Sequence, residues 1–260
     1  MRTTIAALFS FVVTLSVFAQ PTPPQPTFAT GLDFLDSGQY AAIPLAAPRF
    51  AGPLPSRVDL APFATVGDQG PQGSCVAWAT AYGLKTYEEE QERRWGISTA
   101  DHQFSPSFVY NQIKHALDCK GGTTFVEALN LLTRDGVAPL AEFPYDPQRC
   151  DAKPNAALKQ RAEPYRIASW RRVNTLDETE VKTHLADGFP ILIGMPVDAA
   201  FMRIRGDNLY QGLVGPSLGG HAMVVTGYDD DRGAFRLLNS WGPTWGGSPL
   251  SQVGKPREEK

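Results

Sequence analysis

The feature that most constrains the fold is a change of pattern at Pro164. Before it, from Ser74 on, apolar and small residues recur at helical spacing. After it, short apolar runs are broken by Gly, Pro and Asp clusters and read as strands. A chain divided in this way is α+β, with a helical lobe over 74–160 and an antiparallel β lobe over 164–247. In the first lobe the pattern predicts a helix from Ser74 to about Trp95, with Ser74 as N-cap and Gly96 as stop. Its small residues, Ala77 and Ala81, suit a closely packed central helix, and Glu88-Glu89-Glu90 reads as its solvated far end. Two more helices are predicted over 105–117 and 124–135, the second ended by Gly136. In the second lobe a strand is predicted over 165–173, then a helix capped by Asp177 and reaching Ala186. A strand over 191–197 follows, then two strands around His221 and Asn239. The turn-rich Asp229-Asp230-Asp231-Arg232-Gly233 joins these last two, so they pair antiparallel and bring Asn239 near His221.

This layout gives Gln69-Gly70-Pro71-Gln72-Gly73-Ser74-Cys75 a chemical meaning. It sets a thiol where a helix begins, where free N–H groups and the helix dipole stabilise a thiolate. The Gln69 amide lies six residues earlier, placed to donate to an oxyanion formed when the thiolate attacks a carbonyl. A base is then needed, and the chain has four histidines. His102, His115 and His184 sit in polar or helix-like surroundings with no accompanying constellation. His221 follows two glycines and opens an apolar strand, with Asn239 able to fix its tautomer. Nucleophile, base and orienter are Cys75, His221 and Asn239.

These motifs resemble those of papain-like cysteine peptidases, in an arrangement similar to secreted bacterial members. The order Cys, His, Asn matches, and the Cys75-to-His221 spacing falls within the roughly 130–150 residues of that family. By this resemblance, which covers about residues 55–246, Gln69 is the oxyanion donor, Cys75 the nucleophile, His221 the general base and acid, and Asn239 the orienter. Trp241 would shield the His–Asn contact, Gly121 and Gly122 would pair with substrate backbone, and Gly220 would wall the binding pocket. The implied fold is two-lobed, and the implied activity is that of an endopeptidase forming an acyl-enzyme on peptide or protein substrates, open to protein inhibitors and needing no cofactor or metal. The family pattern is not kept throughout. Val76 stands where Trp is frequent, and Gln72 stands where a cysteine commonly pairs with the equivalent of Cys119. If Cys75 is the nucleophile, Cys119 and Cys150 remain to form one disulfide in an oxidising compartment, a rewired bridge worth roughly 3 kcal/mol by loop closure. No pro-segment of domain size fits before the peptidase domain, so either a short lead around 31–53 suffices or control takes another form. After Gly246 the family continues with further strand. Here one or two strands are expected to be missing, and 248–260 is expected to be a polar tail without structure.

Met1-Arg2 followed by an apolar stretch to Phe18 reads as a signal peptide over 1–19, cleaved after Ala19, with a Pro-rich linker or lead over 20–54. A single membrane anchor is the alternative, less favoured given the small-residue site and the prolines after it. The expectation is a secreted or periplasmic protein without stable membrane association. A formal net charge of −3 and the lack of a basic run leave no electrostatic case for nucleic acid. Two other readings use the same residues. One is a papain-like peptide-binding protein whose catalysis is impaired by the short C-terminus. The other is a different Cys–His acyl-transfer enzyme, such as a transglutaminase or amidase.

Overall fold

The computed structural model describes residues 28–60, 63, 66–246 and 251–254. The signal-peptide expectation and the start of the Pro-rich lead lie outside these residues. Five antiparallel strands form the sheet: β1 Arg57–Asp59, β2 Ile191–Val197, β3 Gly219–Asp229, β4 Ala234–Leu238 and β5 Ser251–Gly254. β3 is the central strand. β2 and β1 follow one another along one of its edges, β4 pairs with the other edge, and β5 lies outside β4. The β3–β4 register sets Val224 opposite Leu238 and Val225 opposite Leu237, as the turn at 229–233 predicts. The period-two alternation of β3 then divides the interior in two. Ala222 and Val224 join Leu238 in a core with the helices. Met223 and Val225 join Leu237 in a second core with Val181, Leu185, Phe201, Trp241 and Trp245.

The predicted central helix is present and its wall is irregular. It follows a short helix at Ser37–Ala41 (α1), is α-helical at Cys75–Ala77 (α2), widens to π-helical turns over Trp78–Lys85, and is α-helical again at Thr86–Arg93 (α3). The π turns face β3. A Cβ on Gly83 would come within 2.8 Å of Val224 Cγ2, so only glycine allows this approach. Thr80 donates its hydroxyl to the Val76 carbonyl at 2.8 Å, which helps hold the wider turn. Two expectations fail here. Ser74 makes no capping bond, because its Oγ is paired with the Tyr145 hydroxyl at 2.7 Å. Nor is Glu88-Glu89-Glu90 a solvated end: Glu89 and Glu90 are buried, Glu89 between Lys85 at 2.6 Å and Arg93, and Glu90 accepting from Gly96 N–H. The helix ends at Arg93, with Arg94 in the left-handed region at φ 54° ahead of the expected Gly96.

The other helices begin where their caps predict. Ser105 caps α4 (Pro106–Ile113), Thr124 and Glu127 form a capping box on α5 (Phe125–Arg134), and Asp177 caps the helix Glu178–Ala186. The strand expected over 165–173 is absent. A short 3-10 turn at Glu163–Tyr165 leads into irregular backbone, and only Arg172 pairs, in a bridge with Leu45. Its alternation of polar and apolar residues has no neighbouring strand to answer it, and alternation alone does not make a strand. The stretch expected to be a structureless tail contains β5, whose residues Ser251–Gly254 take up the outer edge of β4. An unpaired edge offers a row of donors and acceptors, and four residues of compatible length satisfy it.

The Lys85–Glu89 pair generates a prediction. Both side chains are at most 5% exposed, so removing one leaves an uncompensated buried charge. Glu89→Ala should lower unfolding free energy by about 3–5 kcal/mol, while Lys85→Met with Glu89→Leu should restore most of it, as read from urea unfolding midpoints.

Candidate active site

Cys75 is the first residue of α2 and is fully buried, with its thiol held by backbone groups at Ala222 and Val76. His221, on β3, and Asn239, just past the end of β4, are brought together by the β3–β4 register. The ring Nε2–H of His221 donates to Asn239 Oδ1 at 2.7 Å, and that oxygen also accepts the Ser240 N–H at 2.7 Å. The tautomer is thereby fixed, and the lone pair is left on Nδ1, which has no hydrogen-bond partner among the described residues. Trp241 stacks on the imidazole with centroids 4.1 Å apart. Burial pushes the His221 pKa down to about 4, against the opposing effect of the Asn239 bond. Burial also pushes the Cys75 thiol up to about 12, with Asp33 adding to the rise. Thiol and imidazole are therefore both neutral in this state.

Gln69 is fully buried and doubly oriented. Its Oε1 accepts from the Ser240 hydroxyl at 2.7 Å, and its main-chain N–H donates to Ser240 O at 2.8 Å. The side-chain amide donates to Gln72 O at 2.8 Å and to the carbonyl of Ala29 at 3.1 Å. Tyr145 supports it from the helical lobe, donating to Gln69 O at 2.8 Å. A carbonyl thus already sits on the amide expected to hold an oxyanion, and it belongs to the chain's own leading segment.

That segment, residues 28–33, runs through the cleft between the lobes. Phe28 stacks on Trp241 at 4.8 Å, and the indole N–H donates to Ala29 O at 2.9 Å. The Gly31 and Leu32 N–H groups both donate to Gly220 O, at 3.1 and 3.0 Å. Thr123 N–H donates to Gly31 O at 2.9 Å, and Asp33 N–H donates to Thr123 O at 3.0 Å. Leu32 is buried beside Gly194 and Phe125 in the core that holds Cys75. A Cβ on Gly31 would lie 2.1 Å from Gly73 O, so the fit leaves no room for a side chain.

Of the residues singled out from sequence, Gln69, His221, Asn239 and Trp241 converge, Cys75 meets the strand of His221 through the Ala222 backbone, and Gly220 lines the same cleft through its carbonyl. Gly121 and Gly122 lie beside it, but the main-chain pairing with the leading segment falls on Thr123. Cys119 and Cys150 form a disulfide with Cα atoms 5.6 Å apart. His115 corrects an expectation, for it does have a constellation: Asp33 on one ring nitrogen and Glu127 on the other. Sequence reading also passed over Ser240 and Tyr145. Ser240 lay within the Asn-Ser-Trp-Gly motif, but Tyr145 gave no local signal.

A family model for the papain family cysteine proteases matches residues 54–257. The chain belongs to the papain family of cysteine proteases and has its α+β fold. It is 28% identical over 197 residues to an uncharacterized peptidase C1-like protein of Acanthamoeba polyphaga mimivirus, a match covering 69% of this chain and 60% of the relative. It is 27% identical over 187 residues to chymopapain of Carica papaya, covering 70% of this chain and 49% of that protein. The chain therefore spans about half to three-fifths of the length of these relatives. Among solved structures it superposes on xylellain, a cysteine protease from Xylella fastidiosa, with a TM-score of 0.74 and 25% identity, covering 90% of this chain and 92% of that one.

The buried neutral imidazole ties stability to pH. The folded-state pKa of His221, about 4, lies below its unfolded value of 6.5, so between these values the unfolded chain binds the extra proton. Stability should fall as pH drops from 7 to 4, by about 2–4 kcal/mol from this residue. In His221→Gln the acid-side slope of the urea midpoint should flatten correspondingly.

Proposed function

We propose that the chain is an exported cysteine endopeptidase acting on peptide bonds through Cys75, His221 and Asn239. The observation that carries this reading is the His221 ring. Its Nε2 is fixed by Asn239, and its free, buried Nδ1 sits on the strand whose next residue, Ala222, touches the Cys75 sulfur. In the reaction His221 Nδ1 takes the thiol proton, and the Cys75 sulfur attacks the substrate carbonyl carbon. The oxyanion is held by the Gln69 amide and the Cys75 N–H. The imidazolium then gives its proton to the departing amine, leaving an acyl-enzyme. Water, deprotonated by the same imidazole, adds to the thioester and releases the acid and the thiol. The placement of Ala29 O on Gln69 supports this role for the amide, since a carbonyl oxygen already rests there. Backbone pairing to Thr123 and Gly220 marks where an extended peptide would lie.

Export is supported by the Cys119–Cys150 disulfide, which belongs in an oxidising compartment. Among the described residues no helix is long and apolar enough to cross a membrane. With residues 28–33 in the cleft and both reacting groups neutral, the state described is the resting one, and hydrolysis requires the segment to leave.

Cys75→Ala should abolish hydrolysis of a fluorogenic peptide while leaving the unfolding midpoint within about 1 kcal/mol of its original value, the usual scale of a small volume change. Gln69→Ala should lower kcat by about 10²–10³ with a smaller change in KM, the size found for removing one oxyanion donor. Undiminished turnover in Cys75→Ala would refute the assignment.

A further inference from the structure

We propose that His115, backed by Glu127, is a carboxylate-binding subsite at the rim of the cleft, and that Asp33 is its resident ligand, latching the leading segment over Cys75. The proposal rests on the reading of this cleft as a peptidase site and concerns how the cleft is kept shut.

The geometry is specific. His115 Nδ1 lies 2.7 Å from Asp33 Oδ2, and Nε2 lies 2.8 Å from both oxygens of Glu127. A neutral imidazole carries one N–H, so two carboxylates on opposite ring nitrogens require the imidazolium. Glu127 is itself fixed, because its Oε2 accepts from the Thr124 N–H and hydroxyl in the capping box of α5. The His115 main chain is fixed as well, its N–H donating to Gly122 O at 3.1 Å. Gly122 makes room for the ligand: a Cβ there would lie 2.8 Å from both oxygens of the Asp33 carboxylate. The two carboxylates stand on opposite edges of the ring and share no ligand position. Among the described residues no cluster could hold a metal ion.

The charged groups facing His115 are Asp33 from the leading segment and Glu127 from α5. On its own loop, Lys114 donates its ammonium to Ala116 O and Leu117 O, and the Asp118 carboxylate accepts from the Lys120 and Gly121 N–H groups. The latch is open to solvent, with side-chain exposures of 40% for His115 and 51% for Asp33, so it titrates readily. The Glu127 and Asp33 bonds outweigh burial and hold the His115 pKa above its ordinary 6.5. The doubly bonded imidazolium is thus fully present below the ordinary value and is lost as pH rises through the raised one. The neutral ring that remains can donate to only one of the two carboxylates. Asp33 acts in a second way, since its charge adds to the rise of the Cys75 pKa.

The test uses the full chain and a peptidyl epoxide as the probe of Cys75 accessibility, comparing wild type with Asp33→Asn and His115→Ala. Labelling at pH 6 should be about 1.5- to fivefold faster in either variant, the size expected of partly exposed charge pairs. The advantage should shrink toward unity as pH rises through the raised His115 value and the wild-type latch loses its proton. His115→Ala keeps the Asp33 charge near Cys75, so the same gain in both variants assigns it to the latch and not to the thiol pKa. Equal labelling of wild type and both variants at pH 6 would overturn the proposal, as would a gain confined to Asp33→Asn. Variants that label faster yet hydrolyse no peptide would uphold the latch and sink the peptidase reading. Peptide hydrolysis in wild type that both variants leave unchanged at pH 6 would do the reverse.

Discussion

Everything at this site depends on the pairing of β3 with β4. Asn239 is 18 residues from His221 in the chain, and only their antiparallel register sets the amide oxygen 2.7 Å from the ring. The same register turns Trp241 back onto the imidazole and places Ser240 on Gln69, a residue of the other half of the chain. One strand pair therefore orients the ring, stacks Trp241 on it and aims the Gln69 amide. The parity of β3 is part of this constraint. Ala222 faces the helical core and meets Cys75, while Met223 and Val225 face the second core, so a slip of one residue would reverse both assignments.

The covering segment acts on the chemistry through a single physical cause. Burial disfavours charge, and it moves the thiol and the imidazole in opposite directions, to about 12 and about 4. Transfer of a proton from one to the other would place two charges under Phe28, Leu32 and Trp241, where water cannot reach them. On the proposed function, occupying the cleft would block substrate and suppress the Cys75 thiolate together. Departure of the segment would reverse both, because hydration would return to Cys75 and His221.

What could be read from the sequence was local chemistry repeated over short spans. The caps Ser105, Thr124 and Asp177 set their helix starts, and two apolar runs around an Asp-rich turn gave the β3–β4 pair and, through it, His221 with Asn239. What escaped was long-range. Glu89 reads as a surface charge until Lys85 and Arg93 close on it, and Ser74 reads as a cap until Tyr145 takes its hydroxyl. His115 seemed unaccompanied because one of its partners, Asp33, lies 82 residues away. The segment 165–173 erred the other way, its alternation suggesting a strand that no neighbour completes.

The leading segment is held by interactions of two kinds, and their difference explains how it can both seal and release. Leu32 and Phe28 bury apolar surface, and the main-chain bonds to Thr123 and Gly220 fix the path. Neither kind responds to pH in the working range. Such contacts give affinity without control. The Asp33–His115–Glu127 group is weaker, being half exposed, but it is the part whose charge changes as pH rises through the raised His115 value. It also sits one residue from Leu32, where the Asp33 N–H donates to Thr123 O. A charge group beside the buried Leu32 would, on this proposal, change how often the segment begins to peel without loosening the rest, and opening would then proceed by exchanging backbone partners with an incoming peptide.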